Sequence, residues 1–197
     1  MISGLGILSY HKGVKMLEIE LKVKISDFEA MRALLKTWGN EKLFEKKDLY
    51  FGLPPKDNSP GFTLFRLRKE NTQWIVTSKK KSITDGIEVS FEREFIINDS
   101  LEFQNFAQDL GFIPFIKKEK LGYSYTKDNV KAELSRVTGL GSYLELEFLA
   151  PETCTEEEIV LYRNKLLDLL PELGLSKGDI EPRPYTKMLQ EKGLGSV

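Results

Sequence analysis

The chain has 197 residues, enough for one domain with a sizeable core and no need of disulfides or a structural metal. Apolar residues make up 41%, and 29 Lys and Arg nearly cancel 30 Asp and Glu, leaving a net charge of -1. That balance argues against a disordered chain, and it speaks against general nucleic-acid binding, which favours a basic excess. No apolar run is long enough to span a membrane. One cysteine, Cys154, excludes a disulfide framework, and one histidine, His11, excludes a histidine-rich metal site. An enzyme of this composition runs on carboxylates, lysines and arginines, with tyrosines as a further option.

Residues 1–15 (MISGLGILSYHKGVK) lack a basic start and a small-residue cleavage site. They read as a flexible leader, or as sequence ahead of a start at Met16, and the expected compartment is the cytoplasm. A single domain over 16–192 and a short tail, 193–197, complete the expected organisation.

From Leu17 to Ile25 apolar and charged residues alternate strictly, the pattern of a strand with one apolar and one charged face. Ser26 with Glu29 predicts a capping box and a helix to Trp38, closed by Gly39. Lys42–Phe51 reads as a strand and 53–61 (LPPKDNSPG) as a proline-rich loop. Phe62–Lys69 and Gln73–Lys81 form a predicted hairpin turning near Asn71, followed by a strand over Ile87–Ile97. Asp99 with Glu102 opens a helix to Gly111. Strands are predicted over Ile113–Thr126, Val130–Val137 and Tyr143–Leu149. Thr155 with Glu158 opens a helix to about Leu170, and a short helix follows over Tyr185–Lys192. The sum is an α+β domain on one large antiparallel sheet of roughly eight strands, open or closed.

The charges on those strands carry the functional signal. Residues at i and i+2 share a face. Glu18/Glu20, Glu92/Glu94 and Glu145/Glu147 are acidic pairs at that spacing, and Arg66/Arg68 and Lys118/Lys120 are basic ones. Lys22 extends the first row, and Lys79 shares a face with Thr77. A solvated sheet face accounts for such a pattern with weak surface ion pairs. A closed sheet turns the same face into a lumen, where charges of both signs must pair. There, lysines and arginines suit a polyanion, and clustered carboxylates suit a hard divalent cation, Mg²⁺ or Mn²⁺.

Seven motifs in order resemble the CYTH superfamily, the triphosphate tunnel metalloenzymes. Glu18-x-Glu20-x-Lys22 resembles its ExExK signature, and Asp48-x-Tyr50-Phe51 its D-x-Y-F strand. Arg66-x-Arg68, Thr77-x-Lys79 and Glu92-x-Glu94 resemble the strands that follow. Lys118-x-Lys120 with Tyr123 resembles K-x-R-x-x-Y, with lysine for arginine, and 137–147 resembles V-x-G-L-G-x-F-x-E-x-E. The resemblance implies an eight-stranded antiparallel barrel with flanking helices. It implies a divalent metal on Glu18, Glu20, Glu145 and Glu147, with Glu92 and Glu94 as further candidates. It also implies a triphosphate on Lys22, Arg66, Arg68, Lys79, Lys118 and Lys120, with Glu20 and Lys22 closest to the chemistry. One departure is Ser135, where the family often has an aspartate. Glu133, two residues earlier on the same face, is the candidate replacement.

The family contains class IV adenylyl cyclases and triphosphatases, and both chemistries suit one site. Residues 47–55 followed by Phe65-Arg-Leu-Arg look most like the cyclase subgroup, which turns ATP into cyclic AMP and pyrophosphate. Hydrolysis of an organic or inorganic triphosphate is the alternative, and a non-catalytic polyphosphate- or nucleotide-binding module the third reading. No nucleic-acid or membrane partner is expected, and a homodimer is compatible with the resemblance. The remaining features read as structural: His11 as solvated, Cys154 as structural or exposed, Gly139-Leu-Gly141 as a tight turn, and Trp38 and Trp74 as packing residues. Tyr185 reads equally as a core residue or as a closure of the tunnel.

Overall fold

The computed structural model describes residues 16–54 and 63–197. The leader with His11 and most of the proline-rich loop lie outside the described residues. Eight strands form one closed antiparallel barrel. In chain order they are β1 (Met16–Ile25), β2 (Lys42–Gly52), β3 (Thr63–Glu70), β4 (Gln73–Thr84), β5 (Ile87–Ile97), β6 (Ile113–Lys127), β7 (Val130–Val137) and β8 (Gly141–Pro151). The order around the barrel is β1-β5-β4-β3-β2-β6-β7-β8. β1 therefore lies between β5 and β8, with Glu20 opposite Glu88 on one side and Glu147 on the other.

The alternation in the sequence sets which side chain enters the barrel. Ile19, Leu21 and Val23 of β1 are fully buried against the helices outside, as are Leu144 and Leu146 of β8. Glu18, Glu20 and Lys22 must then point inward. α1 (Phe28–Leu35) and α3 (Glu156–Glu172) cover the outer face of β1, β5, β7 and β8 through Phe28, Met31, Leu35, Ile159, Leu166 and Leu170. α2 (Ser100–Asp109) covers β2 to β4, where Ala107 meets Phe51, Leu67 and Val76. Truncating such a core residue, Leu146 for example, costs about 2–5 kcal/mol and loosens the register that aims Glu145 and Glu147 inward.

The fourth helix, α4 (Tyr185–Glu191), caps one end of the barrel. Its Tyr185, Met188 and Leu189 pack on Ile116, Val137, Leu140 and Tyr143. The segment leading to it is stitched to β1: the Glu181 amide donates to the Lys22 carbonyl at 2.7 Å, and Val23 bridges to Ile180. Beyond α4, the Lys117 amide donates to the Gly195 carbonyl at 2.6 Å.

Local signals mostly hold, with one correction. Asp27, not Ser26, caps α1: it is extended and its carboxylate accepts from the Ala30 amide at 3.0 Å, so the helix starts one residue later. Asp99 caps α2 through the Leu101 and Glu102 amides. Both halves of the Thr155–Glu158 capping box form. β4 runs three residues past its predicted end, because Asp85 and Gly86, both with positive φ, make a tight turn into β5. Gly139 and Gly141 also have positive φ, as a tight turn between β7 and β8 requires. Trp38 and Trp74 pack against the outer cores.

Candidate functional site

The inward faces of all eight strands make a lumen lined by charge. Lys22, Lys46, Asp48, Lys118, Lys120, Glu133 and Glu145 are buried. Unpaired, each would be strongly unfavourable, so the lumen is organised as three groups of partners.

One group sits where β2, β3 and β6 adjoin. Arg68 grips Asp48 with two parallel hydrogen bonds, at 2.7 and 2.9 Å, and Lys118 reaches the same carboxylate at 2.9 Å. Burial alone would raise the Asp48 carboxyl; Arg68 and Lys118 outweigh it and hold the group well below the usual range. Beside it, Arg66 donates to the Thr77 hydroxyl at 2.9 Å and approaches Glu94 at 3.3 Å and Glu92 at 3.7 Å.

The second group centres on Glu133 of β7. Lys46, Lys120 and Lys131 lie 2.6, 2.9 and 2.7 Å from its carboxylate. Lys120 also meets Glu145 at 2.6 Å, and Lys131 approaches Glu147 at 3.5 Å. The close fit of β6 to β7 depends on Gly122, where a Cβ would stand 2.1 Å from the Leu134 carbonyl oxygen. Burial pushes the Lys46 ammonium down to about 8 despite Glu133. Glu133 itself is held well below the usual carboxylate range, its three lysines overcoming the cost of burial.

The third group surrounds Lys79 of β4. Glu92, Glu88 and Glu18 lie 2.7, 2.8 and 3.4 Å from its ammonium. One lysine cannot neutralise every carboxylate nearby. Glu92, closest to it, is lowered to about 2: burial opposes ionisation there, and Lys79 with Arg66 outweighs it. Glu18 is raised well above the usual range by burial, then by Glu147 and Glu92. Burial and then Glu145 raise Glu20 to about 7. The lumen thus holds a carboxylate excess near Glu18, Glu20 and Glu147, and burial with like-charge repulsion favours the protonated form of Glu18 and Glu20.

That excess bears on a metal. Oxygen donors in a buried, mutually repelling set fit a hard divalent cation, which would replace the protons. Among the described residues, no three acidic side chains are gathered closely enough to hold an ion as they stand. The donors fit in kind, and lysines occupy several of them in this arrangement.

Lys22 turns toward the capped end. It donates to the Arg183 carbonyl and stands 4.1 Å from the Tyr185 ring centroid. Every residue the sequence offers for the metal or the triphosphate lines this lumen: Glu18, Glu20 and Lys22 on β1, Arg66 and Arg68 on β3, and Lys79 on β4. Glu92 and Glu94 on β5, Lys118 and Lys120 on β6, Glu133 on β7 and Glu145 and Glu147 on β8 complete it. Glu92 and Glu94 share the inward face, as residues two apart must, with Glu94 the more exposed. Among the described residues, Lys46, Asp48, Glu88 and Lys131 are further charged groups of the lumen that the sequence does not mark as binding residues, Asp48 standing only in the D-x-Y-F motif. Lys46-x-Asp48 and Lys131-x-Glu133 have the same i, i+2 spacing as the like-charged pairs, but mix signs. Cys154 stands away from the lumen, at the outer core, where burial raises its thiol.

A closed antiparallel barrel with a charge-paired interior defines a class of protein by its fold. Comparison with known proteins places the chain within it: a match to the CYTH domain spans residues 16–185, and the chain belongs to that family. A protein of Methanocaldococcus jannaschii named "Putative adenylate cyclase MJ0240" is 27% identical over 175 residues, covering 88% of this chain and 98% of its own. "Adenylate cyclase CyaB" of Aeromonas hydrophila is 22% identical, covering 88% and 89%. The solved structure of the PH1819 protein of Pyrococcus horikoshii superposes with a TM-score of 0.74 at 26% identity, covering 89% of this chain and 99% of that one.

Proposed function

We propose that this protein is a metal-dependent enzyme that binds a triphosphate in the barrel lumen, and that it converts ATP to cyclic AMP and pyrophosphate. The observation that carries the triphosphate is the convergence of Arg66, Arg68, Lys79, Lys118 and Lys120 on one buried space, each now held by a carboxylate. A triphosphate offers these cations anionic oxygens in place of their present partners, in a setting of low dielectric where each contact is strong. The two relatives named adenylate cyclase support the cyclase reading.

In this reading Arg68 and Lys118 move from Asp48 to phosphate oxygens, and Arg66 follows from Glu94 and Glu92. Lys120 remains tied to Glu133 and Glu145 and presents its third donor inward. Lys22 leaves the Arg183 carbonyl. Glu18, Glu20, Glu145 and Glu147 are the residues that would hold Mg²⁺ or Mn²⁺, with Glu92 and Glu94 as supports. When bound, the cation supplies polarisation of the phosphate oxygens. The basic side chains stabilise charge that develops on those oxygens as the ribose 3′-hydroxyl attacks the α-phosphate. Glu133 serves as the anchor of Lys46, Lys120 and Lys131 rather than as a ligand.

Triphosphate hydrolysis is the second reading, favoured by the charge of the lumen itself: its paired lysines and arginines complement phosphate, whatever organic group follows. Product analysis separates the two. Purified protein is incubated with ATP, and separately with tripolyphosphate, with Mg²⁺ or Mn²⁺, and the products are resolved by ion exchange. Cyclic AMP with pyrophosphate is the expected result; phosphate without cyclic AMP would establish the hydrolase instead.

A further inference from the structure

The helix that caps the barrel carries a polar atom that the fold leaves unused. Tyr185, the first residue of α4, is 7% exposed, and its hydroxyl is buried with no hydrogen-bond partner among the described residues. Native structures rarely leave such a group unpaired, and a phenylalanine would fill the same volume without it. The ring is firmly held. It meets Tyr143 edge to face at 5.2 Å, and the ammonium groups of Lys22 and Lys118 stand 4.1 and 5.0 Å from its centroid. The ring that carries the hydroxyl is thus held beside two of the cations assigned to the triphosphate. Burial, followed by the lumen carboxylates Glu145 and Glu20, holds the phenol well above its ordinary range, so it stays a neutral donor across neutral pH.

We propose that the Tyr185 hydroxyl is a substrate-binding group, donating a hydrogen bond to a phosphate oxygen of a triphosphate seated at the α4 end of the lumen. This rests on the reading of the lumen as a triphosphate site. A neutral donor on a ring beside two cations adds a directed contact without further charge repulsion among the basic residues. It also sets the depth to which the triphosphate enters, because α4 closes that end with Tyr185, Met188 and Leu189.

The test is calorimetric titration of tripolyphosphate with Mg²⁺ into the full-length wild type, Tyr185→Phe and Tyr143→Phe, with an unliganded melt of each. Tyr185→Phe is expected to bind at least ten-fold more weakly, about 1.4 kcal/mol at 25 °C, with a melt equal to or above wild type. Tyr143→Phe removes a hydroxyl that faces the Met188 sulfur at 3.9 Å and is expected to keep wild-type affinity. Wild-type affinity in Tyr185→Phe overturns the proposal. A loss of affinity matched by a fall in the unliganded melt also overturns it, marking the hydroxyl as structural. A wild type that binds no tripolyphosphate instead removes the reading of the lumen.

Discussion

Replacing Glu133 with Gln isolates the charge pairing on which the lumen depends. The substitution keeps volume and removes one charge facing Lys46, Lys120 and Lys131, at 2.6, 2.9 and 2.7 Å. Lys120 retains Glu145 at 2.6 Å, whereas Lys46 is left with Glu70 at 3.7 Å and Lys131 with Glu147 at 3.5 Å. Removing one partner of a buried pair costs about 3–5 kcal/mol. The share borne by Lys46 has a ceiling: already held at about 8, it can release its proton for about 1.4 kcal/mol at pH 7, so the loss falls mainly on Lys120 and Lys131. For a chain of this size a cost of about 3–5 kcal/mol is a fall in melting temperature of roughly 6–20 °C. The unmatched positive charge should draw a polyanion, so the variant should regain more of its melt than wild type gains when tripolyphosphate is added. Differential scanning fluorimetry with and without tripolyphosphate reads both effects. A melt within about 2 °C of wild type would refute the reasoning, because it is the behaviour of solvated surface pairs.

Other outcomes follow from the same geometry. Arg66→Ala should weaken tripolyphosphate binding at least ten-fold, measured by calorimetry, while circular dichroism stays native. Glu145→Ala should raise the Mg²⁺ or Mn²⁺ concentration needed for half-maximal turnover, or abolish turnover. The Glu20 carboxyl, about 7 in the folded protein, binds a proton more tightly there than when unfolded. Metal-free stability should therefore fall as pH rises from about 4.5 through 7, by about 3 kcal/mol from Glu20, with Glu18 acting in the same direction. Urea denaturation at pH 5.5 and 7.5 captures about 2 kcal/mol of this, and saturating Mg²⁺ should offset it at the higher pH. Thr155→Ala should cost about 1 kcal/mol by loss of the α3 capping box and leave triphosphate affinity unchanged.

Much of this was legible because the barrel obeys a period of two. Once Ile19, Leu21 and Val23 face the helices, Glu18, Glu20 and Lys22 have only the lumen to enter. Closure of the sheet is not written in any one strand: β1 pairs with β5 across about 70 positions of chain and with β8 across more than a hundred. The distribution of partners is likewise invisible in sequence. Glu133 is an i, i+2 neighbour of Lys131 in the chain, but its pairing with Lys46 and Lys120 comes from β2 and β6. Asp48 stands in a motif that by itself gives it no partner, and beside Lys46 it makes a mixed pair that looks like an ordinary solvated strand until its neighbours are known. At α1, Ser26 and Asp27 are both good caps, and only the backbone turn at Asp27 decides between them.

The most direct measurement is titration of tripolyphosphate into the wild-type protein with and without Mg²⁺, beside Arg68→Ala. The account predicts saturable one-to-one binding that Mg²⁺ strengthens and that Arg68→Ala weakens at least ten-fold. Absence of binding, or equal affinity in the variant with its fold intact, would contradict a triphosphate site inside the barrel.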